Sequence, residues 1–116
     1  MPFPLGRHHG GVGEKALEDA RVLSEAIIVW TGWGDTPTPE RDEQRLISRY
    51  GPEATLDLLP RLRRIEEEFY ASDASFTAAD LKDMGDVAAA QFHVMHPEIT
   101  PDAVEALAWC YTWDFK

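Results

Sequence analysis

Apolar residues recur at intervals of three and four along most of this 116-residue chain, and this spacing constrains its fold more than any other feature. An α-helix turns once every 3.6 residues, so the spacing places apolar side chains on one face of a helix. Four segments show the pattern. Their predicted inward residues are Leu17, Ala20, Leu23, Ile27 and Trp30; Leu56, Leu59, Leu62, Ile65 and Phe69; Leu81, Met84, Ala88, Phe92 and Met95; and Val104, Leu107, Ala108, Tyr111 and Phe115.

Two Thr-Pro steps mark where helices begin. Thr38-Pro39 and Thr100-Pro101 each place an N-cap residue before a proline at the first helical position, which is a favourable start. They predict a short helix over about 39–50 and a last helix from residue 101 onward. Ile99 and Val104 flank the second of these starts at the positions of a hydrophobic staple.

Prolines also divide the middle of the chain. Pro52 is predicted to open a third helix that continues to about residue 71. Pro60 interrupts it, and because proline lacks an N–H we expect a kink or a break into two short helices. A fourth helix is predicted from a capping box of Thr77 and Asp80 to about residue 95, where Pro97 terminates it.

The end of the chain has two interpretations. Its aromatic residues alternate with period two, which indicates a strand, but they also continue the helical spacing from Val104. The start at Thr100 favours the helix. We therefore predict an all-α fold, a single small bundle of about five helices with a short C-terminal edge strand as the alternative over 109–115. Residues 1–13 are predicted to be a flexible arm, and 14–116 the helical domain.

The charge of the chain is strongly acidic and unevenly distributed. The formal net charge is −10, but residues 1–64 contribute only −1, whereas 65–116 contribute −9 because their only bases are Lys82 and Lys116. Phosphate binding needs a basic face, so direct binding to nucleic acid is disfavoured, as is binding to an anionic membrane. An acidic protein remains soluble and is steered toward basic partners.

The acids after Arg64 are predicted to form one negative surface on the last two helices. Its members are Asp73, Asp80, Asp83, Asp86, Glu98, Asp102 and Glu105. Such a surface can dock a basic protein, imitate a nucleic-acid backbone, or only keep the protein soluble. Because aromatic anchors dominate interface energies, a tryptophan beside the acids is the expected anchor of such a surface. Trp33, between two glycines in a loop, is the leading candidate for an exposed anchor, with Trp109 and Trp113 as alternatives.

Catalytic and metal-binding patterns are weak. His93 and His96 share a helix face and are the best metal candidates, but their spacing matches neither His-Glu-x-x-His nor a zinc finger. Cys110 lies among aromatic residues, which favours a buried, inert thiol. The glycines before residue 14 lack the lysine and serine or threonine spacing of a phosphate loop. The sequence therefore predicts no cofactor and no enzyme activity.

These observations favour a small partner-binding protein that docks a basic protein, such as an immunity protein, an antitoxin or another inhibitor. The alternatives are a self-associating or accessory protein that uses an apolar helix face, and a metal-binding protein or enzyme acting through His93 and His96. A single cysteine allows no internal disulfide, and no apolar run reaches the roughly 20 residues of a membrane span. We therefore expect a cytoplasmic protein.

Overall fold

The computed structural model describes residues 18–72, 74 and 78–115, and these residues form an all-α bundle. Helix α1 occupies 18–31 of the described chain. It is followed by α2 (Glu43–Tyr50), α3 (Pro52–Tyr70), α4 (Leu81–Met95) and α5 (Pro101–Asp114). No strand occurs in these ranges, so the predicted fold class is confirmed and the segment after Trp109 is helical. The arm over 1–13 and the helix start near Glu14 lie outside the described residues.

A continuous apolar core joins all five helices. Its largest fully buried side chains are Ile27 of α1, Leu46 of α2, Phe69 of α3, Phe92 of α4 and Tyr111 of α5. Ile27, Phe69, Phe92 and Tyr111 lie on the predicted apolar faces of their helices, as expected when amphipathic helices bury their apolar stripes against one another. None of the helices in the described part of the chain is both long and apolar enough to cross a bilayer.

Some residues predicted to face inward are exposed. Leu56 has 73% of its surface exposed, because the buried stripe of α3 runs through Thr55, Leu58 and Leu62 instead. On α4, Leu81 and Met95 are 38% and 55% exposed. Both lie in the terminal turns of α4, and the buried part of that helix is confined to its middle, where it faces its neighbours. Phe115 is also exposed, since α5 ends one residue before it.

Pro60 does not divide α3, so of the two predicted outcomes, a kink or a break, the break is wrong and the kink stays a prediction. The helix continues from Pro52 to Tyr70 with Pro60 inside it. The proline removes the hydrogen bond that the Leu56 carbonyl would accept. Because both Leu56 and Pro60 lie on the exposed side of α3, water can reach this carbonyl in place of the missing N–H.

The start of α2 was also predicted wrongly. Asp42, and not Thr38, is the N-cap, and its carboxylate accepts a hydrogen bond from Gln44 N at 2.9 Å. The segment before it is held outside a helix by α1. Glu40 N donates to Thr31 O, and Asp42 N donates to Trp30 O, both at 3.0 Å. These bonds satisfy carbonyls at the C-terminal end of α1, which would otherwise lack partners.

The predicted start of α5 is confirmed. The Thr100 side chain accepts a hydrogen bond from Ala103 N at 3.4 Å, and Pro101 occupies the first helical position. The Thr100 N–H donates to the buried hydroxyl of Ser24 on α1 at 3.1 Å. Ile99 and Val104 are both buried in the core. The cap and its contact with α1 together fix the start of α5.

The turn after α1 depends on two glycines with positive φ, and this gives a test. Gly32 (φ 79°) and Gly34 (φ 82°) both adopt the left-handed conformation. Gly34→Ala should lower the free energy of unfolding by about 1 kcal/mol, the cost of that conformation for an L-residue. A Cβ at Gly32 would lie 2.6 Å from Thr36 Oγ1 and 2.9 Å from a terminal nitrogen of Arg45, whereas one at Gly34 meets open space. Gly32→Ala should therefore cost about 1–2 kcal/mol more, because hydrogen-bonded side chains must move. Equal losses in urea denaturation would contradict this packing.

Candidate functional site

Helices α4 and α5 pack closely and leave a groove between their outer surfaces. Gly85 of α4 is buried against α5, and a Cβ at this position would lie only 2.9 Å from Thr112 Cγ2. Glycine therefore allows this close approach. Two cavities of about 370 and 340 Å³ lie along the helix pair and share Lys82, Trp109 and Thr112. We call their union the α4–α5 groove.

Three of the four tryptophans of the chain line the α4–α5 groove. Trp109 and Trp113 belong to α5, and Trp33 reaches the groove from the loop after α1. The fourth, Trp30, is 3% exposed and belongs to the core. Trp33 is not the fully exposed anchor that the sequence suggested, since it is half-buried and packs against the core. Trp113 is the most exposed of the three, at 41%.

The groove contains three charged side chains. Asp86 and Glu105, both predicted members of the acidic surface, line it together with Lys82. Lys82 Nζ lies 3.0 Å from Asp86 Oδ2, and both side chains are largely exposed. The hydrogen bond with Asp86 raises the pKa of Lys82, so this side chain remains cationic. Glu105 makes no ion pair or side-chain hydrogen bond with any residue that the structure describes.

Two of the predicted surface acids have a structural role at the start of α4. Asp80 is the N-cap, and its carboxylate accepts a hydrogen bond from Asp83 N at 2.8 Å. Asp83 in turn accepts one from Ala79 N at 3.0 Å. Asp80 is therefore the N-cap of α4, Asp83 binds the N–H of the residue before Asp80, and the predicted pairing of Thr77 as N-cap with Asp80 is wrong. Thr77 itself lies outside the described residues.

The remaining predicted acids do not line the groove. Asp102 lies in the first turn of α5, where the helix dipole favours an acid, and Glu98 lies just before that helix. The groove is lined by residues 81–89 of α4 and 105–113 of α5, so Glu98 lies beyond it, in the connection between the helices, and Asp102 lies one turn before Glu105. Asp73 lies outside the described residues. Of the predicted acidic surface, only Asp86 and Glu105 therefore line the groove.

His93 and His96 have different surroundings, and the structure does not pair them. His93 is exposed, whereas the ring of His96 lies between two carboxylates. Its Nε2 contacts Glu68, and its Nδ1 lies 3.3 Å from Glu98. Burial disfavours the charged ring, but hydrogen bonds with Glu68 and Glu98 outweigh it and raise the pKa of His96. Within 18–72, 74 and 78–115, no group of three or more potential ligands is placed to hold a metal ion.

A polar cluster that the sequence did not indicate lies at the other side of α5. Arg41 Nε donates to Glu66 at 2.7 Å, and a terminal nitrogen of Arg41 donates to Tyr70 at 2.7 Å and to Asp114 at 2.8 Å. The Tyr70 hydroxyl donates to Asp114 at 2.5 Å. Burial raises the pKa of nearby Cys110 to about 11, which keeps its thiol protonated and poorly nucleophilic. The sequence did not predict this cluster, because its members come from three separate segments of the chain and share no regular spacing.

Comparison with known proteins identifies no family, no curated protein and no solved structure that matches this chain.

Proposed function

We propose that this protein is a small acidic partner-binding protein that docks a basic protein through the α4–α5 groove, in the manner of an immunity protein, an antitoxin or another inhibitor. The observation that supports the proposal most strongly is the location of Trp33, Trp109 and Trp113 in one groove that also contains Asp86 and Glu105. Apart from Trp33, the residues that line the groove belong to 65–116, which has a net charge of −9.

Aromatic and acidic side chains would have different tasks in such an interface. Tryptophans are enriched among the few residues that dominate binding energy, because they bury a large area and lose little conformational entropy. Carboxylates around them increase the association rate with a basic partner and disfavour acidic ones. The groove places both kinds of side chain together, which a surface selected only for solubility does not require.

As part of this proposal, the protein is not an enzyme and acts in the cytoplasm. The absence of catalysis by a cysteine is supported by Cys110, the one cysteine of the chain, whose thiol is buried and has a raised pKa. A cysteine nucleophile needs the opposite environment, exposed and electropositive, so that a thiolate forms.

A charge reversal with a matched control tests the proposal. Asp86→Lys with Glu105→Lys reverses two acids in the groove, and Glu98→Lys with Asp102→Lys makes the same charge change at two acids that do not line it. Asp80 and Asp83 are left unchanged because they cap α4. Random peptides displayed on phage are selected on the wild-type protein, and the enriched ones are synthesised. The enriched peptides should be basic, and the groove reversal should weaken their binding at least about tenfold.

The control reversal should weaken the same peptides by less than about threefold, and wild-type affinity should fall steeply from about 0.05 to about 0.5 M salt. Circular dichroism and thermal unfolding check that both variants remain folded. Peptides that bind the two reversals equally well, or that carry no excess of lysine and arginine, would show that the groove is not the docking site.

Self-association is the second candidate function. It is favoured by Val94 and Met95 of α4, whose side chains are 81% and 55% exposed, an unusual exposure for two adjacent apolar residues. Sedimentation equilibrium separates the two candidates. Self-association would be supported by a mass that rises with protein concentration and does not depend on salt. The Val94→Lys variant should then have a lower mass, and the partner would be a second copy of the chain.

A further inference from the structure

One part of the α4–α5 groove has the composition of a site for a cationic side chain. This part is the cavity of about 340 Å³ lined by Trp33 and Trp109 together with Asp86 and Glu105. We call it the cation subsite. Its volume lies at the lower end of the range for ligand pockets, about 300–1,000 Å³, which suits one inserted side chain rather than a helix or a large ligand.

Both kinds of group in the subsite favour a positive charge. The face of an indole ring attracts cations, and tryptophan is the strongest of the aromatic residues in this respect. Glu105 has no ion-pair or hydrogen-bond partner among the described residues, so its carboxylate is available to an incoming cation. The small side chains of Ala89 and Ala108 also line the cavity.

Lys82 gives the subsite a cation of its own. It is the only lysine or arginine between residues 65 and 115. It lines the same cavity, and its Nζ lies 3.0 Å from Asp86. Both members of this pair are exposed, with 87% and 67% of their side chains accessible. Such exposed pairs are weak, so a partner's cation can displace the Lys82 ammonium from Asp86.

An arginine fits this set of groups better than a lysine. Its guanidinium is planar, stacks on aromatic faces and can donate to two carboxylates at once. An ammonium is more strongly hydrated and acts as a point charge. Two indoles with two carboxylates therefore match the planar cation.

We propose that the cation subsite binds one arginine side chain of the partner between Trp33 and Trp109, with Glu105 and Asp86 as its counter-charges, and that Lys82 competes with it for Asp86. This inference rests on the proposed docking function and names the chemical group that the groove recognises.

The probe is Nα-acetyl-arginine amide, compared with its neutral isostere Nα-acetyl-citrulline amide and with Nα-acetyl-lysine amide. Binding is followed by NMR through the indole N–H signals of Trp33 and Trp109, which are assigned with Trp→Phe variants. We expect millimolar affinity, with the arginine probe bound at least about fivefold more tightly than citrulline and more tightly than lysine. Equal binding of arginine and citrulline would overturn the inference.

Variants of single residues test the roles of the charges. Glu105→Gln should weaken arginine binding about fivefold, and Lys82→Met should strengthen it up to about fivefold at low salt, since each changes one exposed charge pair. Glu98→Gln, at an acid that does not line the groove, is the matched control and should leave binding unchanged. A Lys82→Met variant that binds arginine more weakly would show that Lys82 is not a competitor and would overturn the proposal.

The failure of this inference is distinguishable from the failure of the docking function. If selected peptides bind the groove but lose no affinity when each arginine is replaced by citrulline, the subsite is overturned while docking stands. If no peptide depends on the groove but the arginine probe still shifts the Trp33 and Trp109 signals as expected, docking fails while the cation subsite is supported.

Discussion

Replacing Phe69 with alanine should lower the free energy of unfolding by about 3–5 kcal/mol, the range found when a buried phenylalanine is truncated. Phe69 is completely buried. Its ring lies 5.3 Å from the ring of Phe92 on α4 and 5.6 Å from that of Tyr111 on α5, measured between centroids. The truncation therefore leaves a cavity where three helices meet and removes favourable ring contacts. Urea denaturation followed by circular dichroism measures the loss.

Leu56→Ala is the matched control, because it truncates an apolar side chain of the same helix that is 73% exposed. This change should alter the free energy of unfolding by no more than about 0.5 kcal/mol. If Phe69→Ala cost less than about 1 kcal/mol, or if the two variants behaved alike, Phe69 would not be the side chain that joins α3, α4 and α5.

The helices themselves were predictable because their apolar spacing reflects the same faces that the bundle buries. The last helix shows this most clearly. Its alternating aromatic residues were compatible with a strand, but the Thr100 cap and the spacing from Val104 to Tyr111 correctly indicated a helix. The cap indicates a helix because its side chain bonds a backbone N–H of the first turn. In a strand, that N–H would need a neighbouring strand as its partner.

Local signals failed where contacts between distant segments were stronger. Thr38-Pro39 has the sequence of a helix start, but the backbone of residues 40 and 42 bonds the last carbonyls of α1, and the helix begins only after Asp42. The acidic residues show a related limit. Sequence spacing placed Asp80 and Asp83 on the surface, but it could not reveal that both carboxylates bind the backbone at the start of α4.

The groove was only partly predictable. Trp33, Trp109, Asp86 and Glu105 were each recognised as candidates from charge and residue type. These residues come together because α4 packs against α5 at Gly85 and because the loop after α1 brings Trp33 to the same place. Helical spacing in the sequence reveals neither feature. Lys82 was missed as a member of the groove, because a single base in an acidic segment has no distinctive spacing.

Replacing Arg41 with methionine should lower the free energy of unfolding by about 2–4 kcal/mol, since hydrogen bonds to charged groups contribute about 1.5–3 kcal/mol when half-buried groups lose their partner. Arg41 joins Glu66 and Tyr70 of α3 to Asp114 at the end of α5. Its removal leaves two carboxylates in the cluster without their cation. Arg63→Met is the control, because Arg63 lies exposed on α3 and should change stability by no more than about 0.5 kcal/mol.

The pH dependence of the Arg41 effect follows from Asp114. Burial disfavours its charged form, but hydrogen bonds from Arg41 and Tyr70 outweigh this and lower the pKa of Asp114. A carboxyl group with a lowered pKa stabilises the fold above its ordinary value, about 3.9, and this contribution is lost as the pH falls through the lowered value. The difference between wild type and Arg41→Met should therefore be large near about pH 7 and shrink as the pH falls below the ordinary aspartate value of about 3.9. A difference that stays constant across this range would show that Arg41 stabilises the bundle by packing its aliphatic stem and not through its charge.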